Sequence, residues 1–188
     1  DKISIKDEKI KVGTSLLNNK VVITISREYG SGGHLVGKLL AEKLGINFYD
    51  KEIINLTSKE YGFNKNYIEQ NEEQSAKSSI FYTNDDNLFE SELKVIESLA
   101  KKESCVIVGR CADYVLRNRK HTIKIFLYSD MNSKINRAVK YYGLDKTIAE
   151  KEINKINKQR AKHYNHFTNR EWSSFNNYDL AINVDKLG

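Results

Sequence analysis

The sequence predicts a three-layer α/β domain, about five parallel strands with helices on both faces, from three observations. Short apolar runs recur along the chain and alternate with segments of helical periodicity, the pattern of strands joined by crossover helices. The clearest runs, VVITI and CVIV, are nearly continuous rather than alternating, as strands covered on both faces require. The first of them leads through a glycine-rich turn, YGSGG, directly into a helical segment.

Residues 1–20 are polar and charged and are read as an N-terminal appendage of unknown role, with 21–188 as the domain proper. Val21, Val22, Ile23 and Ile25 make the first strand, and Leu35, Val36, Leu39, Leu40 and Leu44 then fall at helical spacing as the apolar side of an amphipathic helix. Residues 46–49 form a short second strand ending at Asp50, a carboxylate at the carboxyl edge of the sheet, where open α/β folds bind ligands. Residues 57–87 turn polar and are the least core-like stretch, either a mobile surface excursion or a functional insertion. Helical spacing returns through Phe89, Leu93, Ile96 and Ala100, and 105–108 is a buried strand closed by Gly109 and Arg110. A helix near Ala112, a strand over 122–128 and a helix carrying Lys134, Arg137 and Lys140 on one side follow. A long charged helix over 147–164 has Ala149, Ile153 and Ile156 as its narrow seam, and 180–184 is the fifth strand.

Composition bounds the function. With 188 residues the chain is long enough for one substantial core. No apolar run reaches membrane-spanning length and no signal-peptide pattern is present, so neither a transmembrane nor a secreted protein is expected. The two cysteines, Cys105 and Cys111, lack metal-ligand spacing and any disulfide framework, which points to a reducing cytoplasm. The net charge of +6 is scattered, without a basic run interleaved with aromatics, so a small anionic ligand is favoured over nucleic acid. Homo-oligomer formation is compatible with all of this. No cluster of cysteine, histidine or carboxylates has the spacing of a structural metal site.

The glycine-rich turn supplies the chemistry. Backbone N–H groups of Gly30, Ser31, Gly32, Gly33 and His34 stand where a strand gives way to a helix, and the unsatisfied amides of a helix's first turn bind phosphate. Gly32 and Gly33 are expected to permit close approach of the ligand. The Walker A template, G-x-x-x-x-G-K-[ST], is not satisfied. Gly37 and Lys38 form a GK pair, but inside the helix and followed by Leu39. Aligning the strand ends instead puts Arg27 at the template's first glycine and Gly33 at its lysine, so the cradle remains and its usual cation is gone.

The stretch ITISREYGSGGHLVGKLLAEKLGINFYDKEII resembles the opening of the cytidylate kinase-like family, and CVIVGRCADYVL, IKIFLYSD, RAKHYNHFT and YDLAIN continue the resemblance in family order. It covers nearly everything after Lys20. It implies a P-loop NTPase-type domain that binds ATP with Mg2+ at Gly30, Ser31, Gly32, Gly33 and His34 and transfers a phosphoryl group to a small acceptor, a nucleoside monophosphate above all. It also makes 57–87 a candidate acceptor-binding insertion and 147–172 a candidate lid. Arg110 is the counterpart of the arginine that contacts acceptor phosphate, Arg160 sits in the lid-like segment, and Arg137 lies on a helix where the family carries basic residues. With Asp50 at the sheet edge these are the expected catalytic residues, and Arg27 is expected to replace the missing lysine. His163, His166 and Tyr164 form a polar aromatic cluster beside Arg160, either a base-stacking surface or a packed corner. The chain departs from the family at Cys111, where an acidic residue is usual, and after Asp50, where KEII replaces a run of small residues leading to an arginine. A nucleotide-binding sensor with little turnover is the alternative reading.

Overall fold

The computed structural model describes residues 20–62 and 86–187. Its elements run β1 (Val22–Arg27), α1 (Gly33–Leu44), β2 (Asn47–Tyr49), α2 (Glu52–Tyr61), α3 (Asp86–Lys102), β3 (Cys105–Val108), α4 (Ala112–Val115), β4 (Thr122–Tyr128), α5 (Met131–Tyr142), α6 (Ala149–Thr168), a 3-10 turn (Phe175–Asn177), β5 (Leu180–Asn183) and α7 (Val184–Leu187). The strands form one five-stranded parallel sheet in the order β2-β3-β1-β4-β5.

Strand β1 is central because its residues are apolar on both sides of the pleat. Val22 joins Cys105, Ile107, Ile53, Val95 and Ile96 in a core on one face, built with α2 and α3. Ile23 and Ile25 join Val106, Val108, Ile125 and Ala41 on the other, built with α1. A third cluster, Phe89, Cys111, Phe126, Tyr164, Trp172 and Tyr178, extends the first face towards the carboxyl edge and ties α3, β4 and α6 together. The register pairs Ile25 with Val108 and with Ile125, so β1 and β3 end side by side and Arg27 and Gly109 emerge at one edge.

One expectation is corrected. Helix α1 packs through Gly33, Gly37 and Ala41, while Leu35, Leu39 and Leu44 are exposed. A Cβ on Gly37 would sit 2.9 Å from both Phe48 and Val108, so the helix lies too close to the sheet for leucines to come between. The two ends of the polar stretch 57–87 are helical. Thr57 is fully buried in α2, its hydroxyl bonded to Ile53 O, and Asp86 already opens α3. The rest of the predicted insertion, residues 63–85, and the appendage over 1–19 lie outside the described residues.

Helix α6 follows its predicted seam of Ala149, Ile153 and Ile156, but the buried stripe continues through Arg160, His163 and Tyr164. A helix whose buried side turns from apolar to polar partway along is carrying polar groups inward towards a site.

Candidate active site

The turn between β1 and α1 is closed on itself by Glu28 O, which accepts from Ser31 N (3.3 Å) and Ser31 Oγ (2.8 Å). The amides of Gly32, Gly33 and His34 find no acceptor among the described residues, the ordinary condition of a helix's first turn. The loop is braced from outside. Tyr29 N donates to Asn157 Oδ1 of α6 (2.7 Å), and Glu28 Oε2 accepts from Lys134 Nζ of α5 (2.8 Å) and from Ser129 N (3.3 Å).

Arg27, the last residue of β1, sends its side chain past the start of α1 and over the end of β3. A Cβ on Gly33 would lie 2.6 Å from Arg27 Cγ, and one on Gly109 would strike the guanidinium itself. Two glycines distant in sequence therefore clear the path of one arginine. The guanidinium ends 3.8 Å from Asp50 Oδ1, and Asp50 Oδ2 accepts from His34 Nδ1 at 2.7 Å. Burial alone would push the Asp50 carboxyl up, but Arg27, the bond from His34 and the nearby Arg110 hold it below its usual value, and it is ionised at neutral pH. Gly32 has open space on its Cβ side. No protein atom lies within 4 Å of a Cβ built there, and what requires glycine is its φ of 83°.

Beyond β3 the backbone takes three successive left-handed residues, Gly109 (φ 79°), Arg110 (φ 58°) and Cys111 (φ 53°). For the two residues with side chains this costs on the order of 1–3 kcal/mol each and is retained at sites that need it. Arg110 pairs with Glu92 Oε1 of α3 at 3.3 Å, not with the neighbouring Asp113. Asp113 is instead enclosed, accepting from Ser26 Oγ (3.2 Å) and Tyr164 Oη (2.6 Å), and burial raises its pKa despite these bonds. Arg160, only 6% exposed, donates to Arg27 O (2.8 Å), with its guanidinium 5.6 Å from the centre of the Tyr29 ring. Arg27, Arg110 and Arg160 together line a small open cleft whose other walls include Ser26, His163, Tyr164 and Trp172.

The structure thus brings together most of the residues singled out from the sequence. Arg27, Arg110 and Arg160 share the cleft; Asp50 and His34 form a pair on Arg27; Gly30, Ser31, Gly32 and Gly33 form the turn. Arg137 stands apart. Its NH1 donates to Gly30 O (3.2 Å) and Ser129 Oγ (2.7 Å) and its NH2 pairs with Asp185 Oδ1 (2.6 Å), so it braces the back of the loop. Lys38 is exposed on α1. The aromatic cluster is a packed corner: His163 is edge-on to Phe89 and Phe167, and burial, with help from Arg110 and His166, brings its pKa down to about 3. Sequence reasoning missed Glu92, Asp113, Asn157 and Asp185. Only Glu92 carried a signal, being a carboxylate on the stripe that Phe89, Ile96 and Leu99 bury.

A parallel sheet with a glycine-rich turn at its central strand and arginines beside that turn is the architecture of a nucleotide kinase-like phosphotransferase. The chain belongs to the cytidylate kinase-like family, whose model matches residues 22–186. A cytidylate kinase of Archaeoglobus fulgidus is 25% identical over 162 residues, 86% of this chain and 84% of that protein. A crystal structure of an uncharacterised protein from Eubacterium ventriosum superposes with a TM-score of 0.67 at 30% identity, covering 89% of this chain and 93% of that one. A shikimate kinase from Bacteroides thetaiotaomicron shares the fold at 19% identity, with a TM-score of 0.55 and coverage of 88% and 86%. The three-layer α/β architecture with five parallel strands read from the sequence is the one observed. Among the described residues no helix is long and apolar enough to cross a membrane.

Proposed function

We propose that this protein transfers the terminal phosphoryl group of ATP to a nucleoside monophosphate, in a cytoplasmic setting. The observation that carries this reading is the meeting of Arg27, Arg110 and Arg160, from three distant segments, around one cleft beside the glycine turn. Phosphoryl transfer asks little covalent chemistry of a protein; it asks for in-line positioning and fixed positive charge around the phosphoryl oxygens.

The orphan amides of Gly32, Gly33 and His34 receive the triphosphate, and the Arg27 guanidinium stands in for the absent lysine. Asp50, held ionised and bonded to His34, fixes the far end of Arg27. Arg110 takes the acceptor phosphate and Arg160 reaches the transferred group from α6. Arg137 holds the loop in shape through Gly30 O. The donor set suits a triphosphate better than a bare metal ion, since no group of three histidine, cysteine or acidic side chains able to hold one occurs among the described residues. Mg2+ is commonly carried by phosphate oxygens and water with few protein ligands, and it would neutralise phosphate charge here when bound with ATP.

The test is incubation with ATP and Mg2+ against a panel of nucleoside monophosphates, with the diphosphates resolved by chromatography. Formation of a nucleoside diphosphate from at least one acceptor is expected. ATP binding by calorimetry with no transfer to any acceptor would replace this reading with the nucleotide sensor.

A further inference from the structure

Glu92 stands outside every role assigned so far, and its surroundings are unusual. It projects from the apolar stripe of α3, where its side chain is 4% exposed, and its Oε1 meets Arg110 NH1 at 3.3 Å. A lone carboxylate in such a place is expelled or protonated unless a cation offsets its burial. Burial does raise its pKa, and Arg110 opposes that rise. Arg110 in turn sits in left-handed backbone between two other left-handed residues, lines the cleft, and is 17% exposed. Glu92 is not among the residues that line that cleft.

We propose that Glu92 is the positioning residue of Arg110, holding one edge of its guanidinium and so fixing the direction in which Arg110 faces the acceptor's phosphate. A planar guanidinium has five donors in a fixed fork, so a carboxylate on one nitrogen sets the direction of the others. The left-handed turn at 109–111 brings Arg110 close to Arg27, and two guanidiniums near one cleft repel each other unless negative charge lies behind them. Glu92 supplies that charge to Arg110 from inside the core as Asp50 supplies it to Arg27 from the sheet edge. The cleft keeps its positive face towards ligand because both carboxylates sit behind it.

This inference rests on the phosphotransferase reading, and the experiment separates the two. Steady-state kinetics are measured for the parent, Glu92→Gln, Glu92→Asp, Arg110→Ala and the double variant Glu92→Gln/Arg110→Ala, using ATP and the monophosphate that the parent uses best. Glu92→Gln keeps shape and acceptor oxygen but removes the charge. It is expected to raise KM for the monophosphate about tenfold while KM for ATP stays within about twofold, with Glu92→Asp falling between it and the parent. Adding Glu92→Gln to Arg110→Ala is expected to change the monophosphate KM no further, since the group it positions is already gone. A merely structural role would move both KM values or the melting temperature alone, and would add to the arginine variant. Equal KM values in the parent and both Glu92 variants, or full additivity in the double variant, overturn the inference. Should Glu92→Gln fail to fold, Glu92→Asp against Arg110→Ala decides by the same comparison. A parent that converts no monophosphate overturns the acceptor reading, and this inference with it.

Discussion

Arg27 and the two glycines that make room for it carry the sharpest consequences at the level of single residues. A methyl on Gly33 must displace the Arg27 side chain, because the collision at 2.6 Å is with its Cγ near the rigid strand rather than with a flexible tip. Gly33→Ala is therefore expected to weaken ATP binding by roughly tenfold, the effect of about 1.4 kcal/mol within the usual overpacking range. Calorimetric titration checks it, and an unchanged Kd contradicts the packing argument. Arg27→Ala is expected to reduce ATP affinity substantially and Lys38→Ala hardly at all. Equal losses would contradict the strand-end alignment that gives the nucleotide to Arg27 rather than to the lysine of the GK pair. Arg27 was legible in the sequence because strand ends can be aligned by their apolar runs. Its partner Gly109 was not, since nothing in a one-dimensional pattern says that two turns 76 positions apart share a side chain.

Helix α6 decides the matter at the level of elements. Its seam was read correctly as far as Ile156, and the continuation through Arg160, His163 and Tyr164 was open to the same periodicity. Those residues are polar, and a solvated surface is the ordinary reading of polar residues on a charged helix. Tertiary packing overrode it, since Tyr164 Oη donates to the enclosed Asp113 and Arg160 donates to Arg27 O. The helix is thus seated on the loop by bonds to the last residue of β1 and, through Asn157, to Tyr29. Tyr164→Phe leaves Asp113 Oδ2 without that donor in a buried site and is expected to lower stability by about 1–3 kcal/mol in urea unfolding. A loss below about 0.5 kcal/mol would show that water or Ser26 substitutes fully. The face of α1 was misread for the opposite reason. Leucines at helical spacing look like a core stripe, yet close approach of helix to sheet selected Gly33, Gly37 and Ala41.

At the scale of the whole molecule, the buried charges set how the domain responds to acid. His163 has its pKa lowered from 6.5 to about 3 by burial, so between those values the unfolded chain takes up a proton that the folded chain refuses. That contribution to stability is fully present above pH 6.5 and is lost as pH falls towards 3. Glu92 and Asp113, raised by burial, act in the opposite sense and offset part of this change. Urea unfolding is expected to show about 1.5 kcal/mol less stability at pH 5 than at pH 6.5 from this histidine. His163→Phe, which suits a site already lined by Phe89 and Phe167, should remove most of that difference. A variant with the parent's slope would assign the effect elsewhere. The parallel strands and the two-sided core followed from sequence periodicity, whereas the strand order and the pairing of carboxylates behind the arginines depended on contacts between distant elements.

The central claim is that arginines from separate segments converge on a transferred phosphoryl group held at the glycine turn. The measurement that tests it most directly is the rate of phosphoryl transfer from ATP to the best monophosphate acceptor for Arg110→Ala, alongside the ATP dissociation constant of the same variant. Turnover should fall by roughly 10²–10³ while ATP affinity stays within about threefold, because the lost contact strengthens in the transition state. Turnover equal to the parent's, or a fall fully matched by lost ATP binding, would contradict the claim.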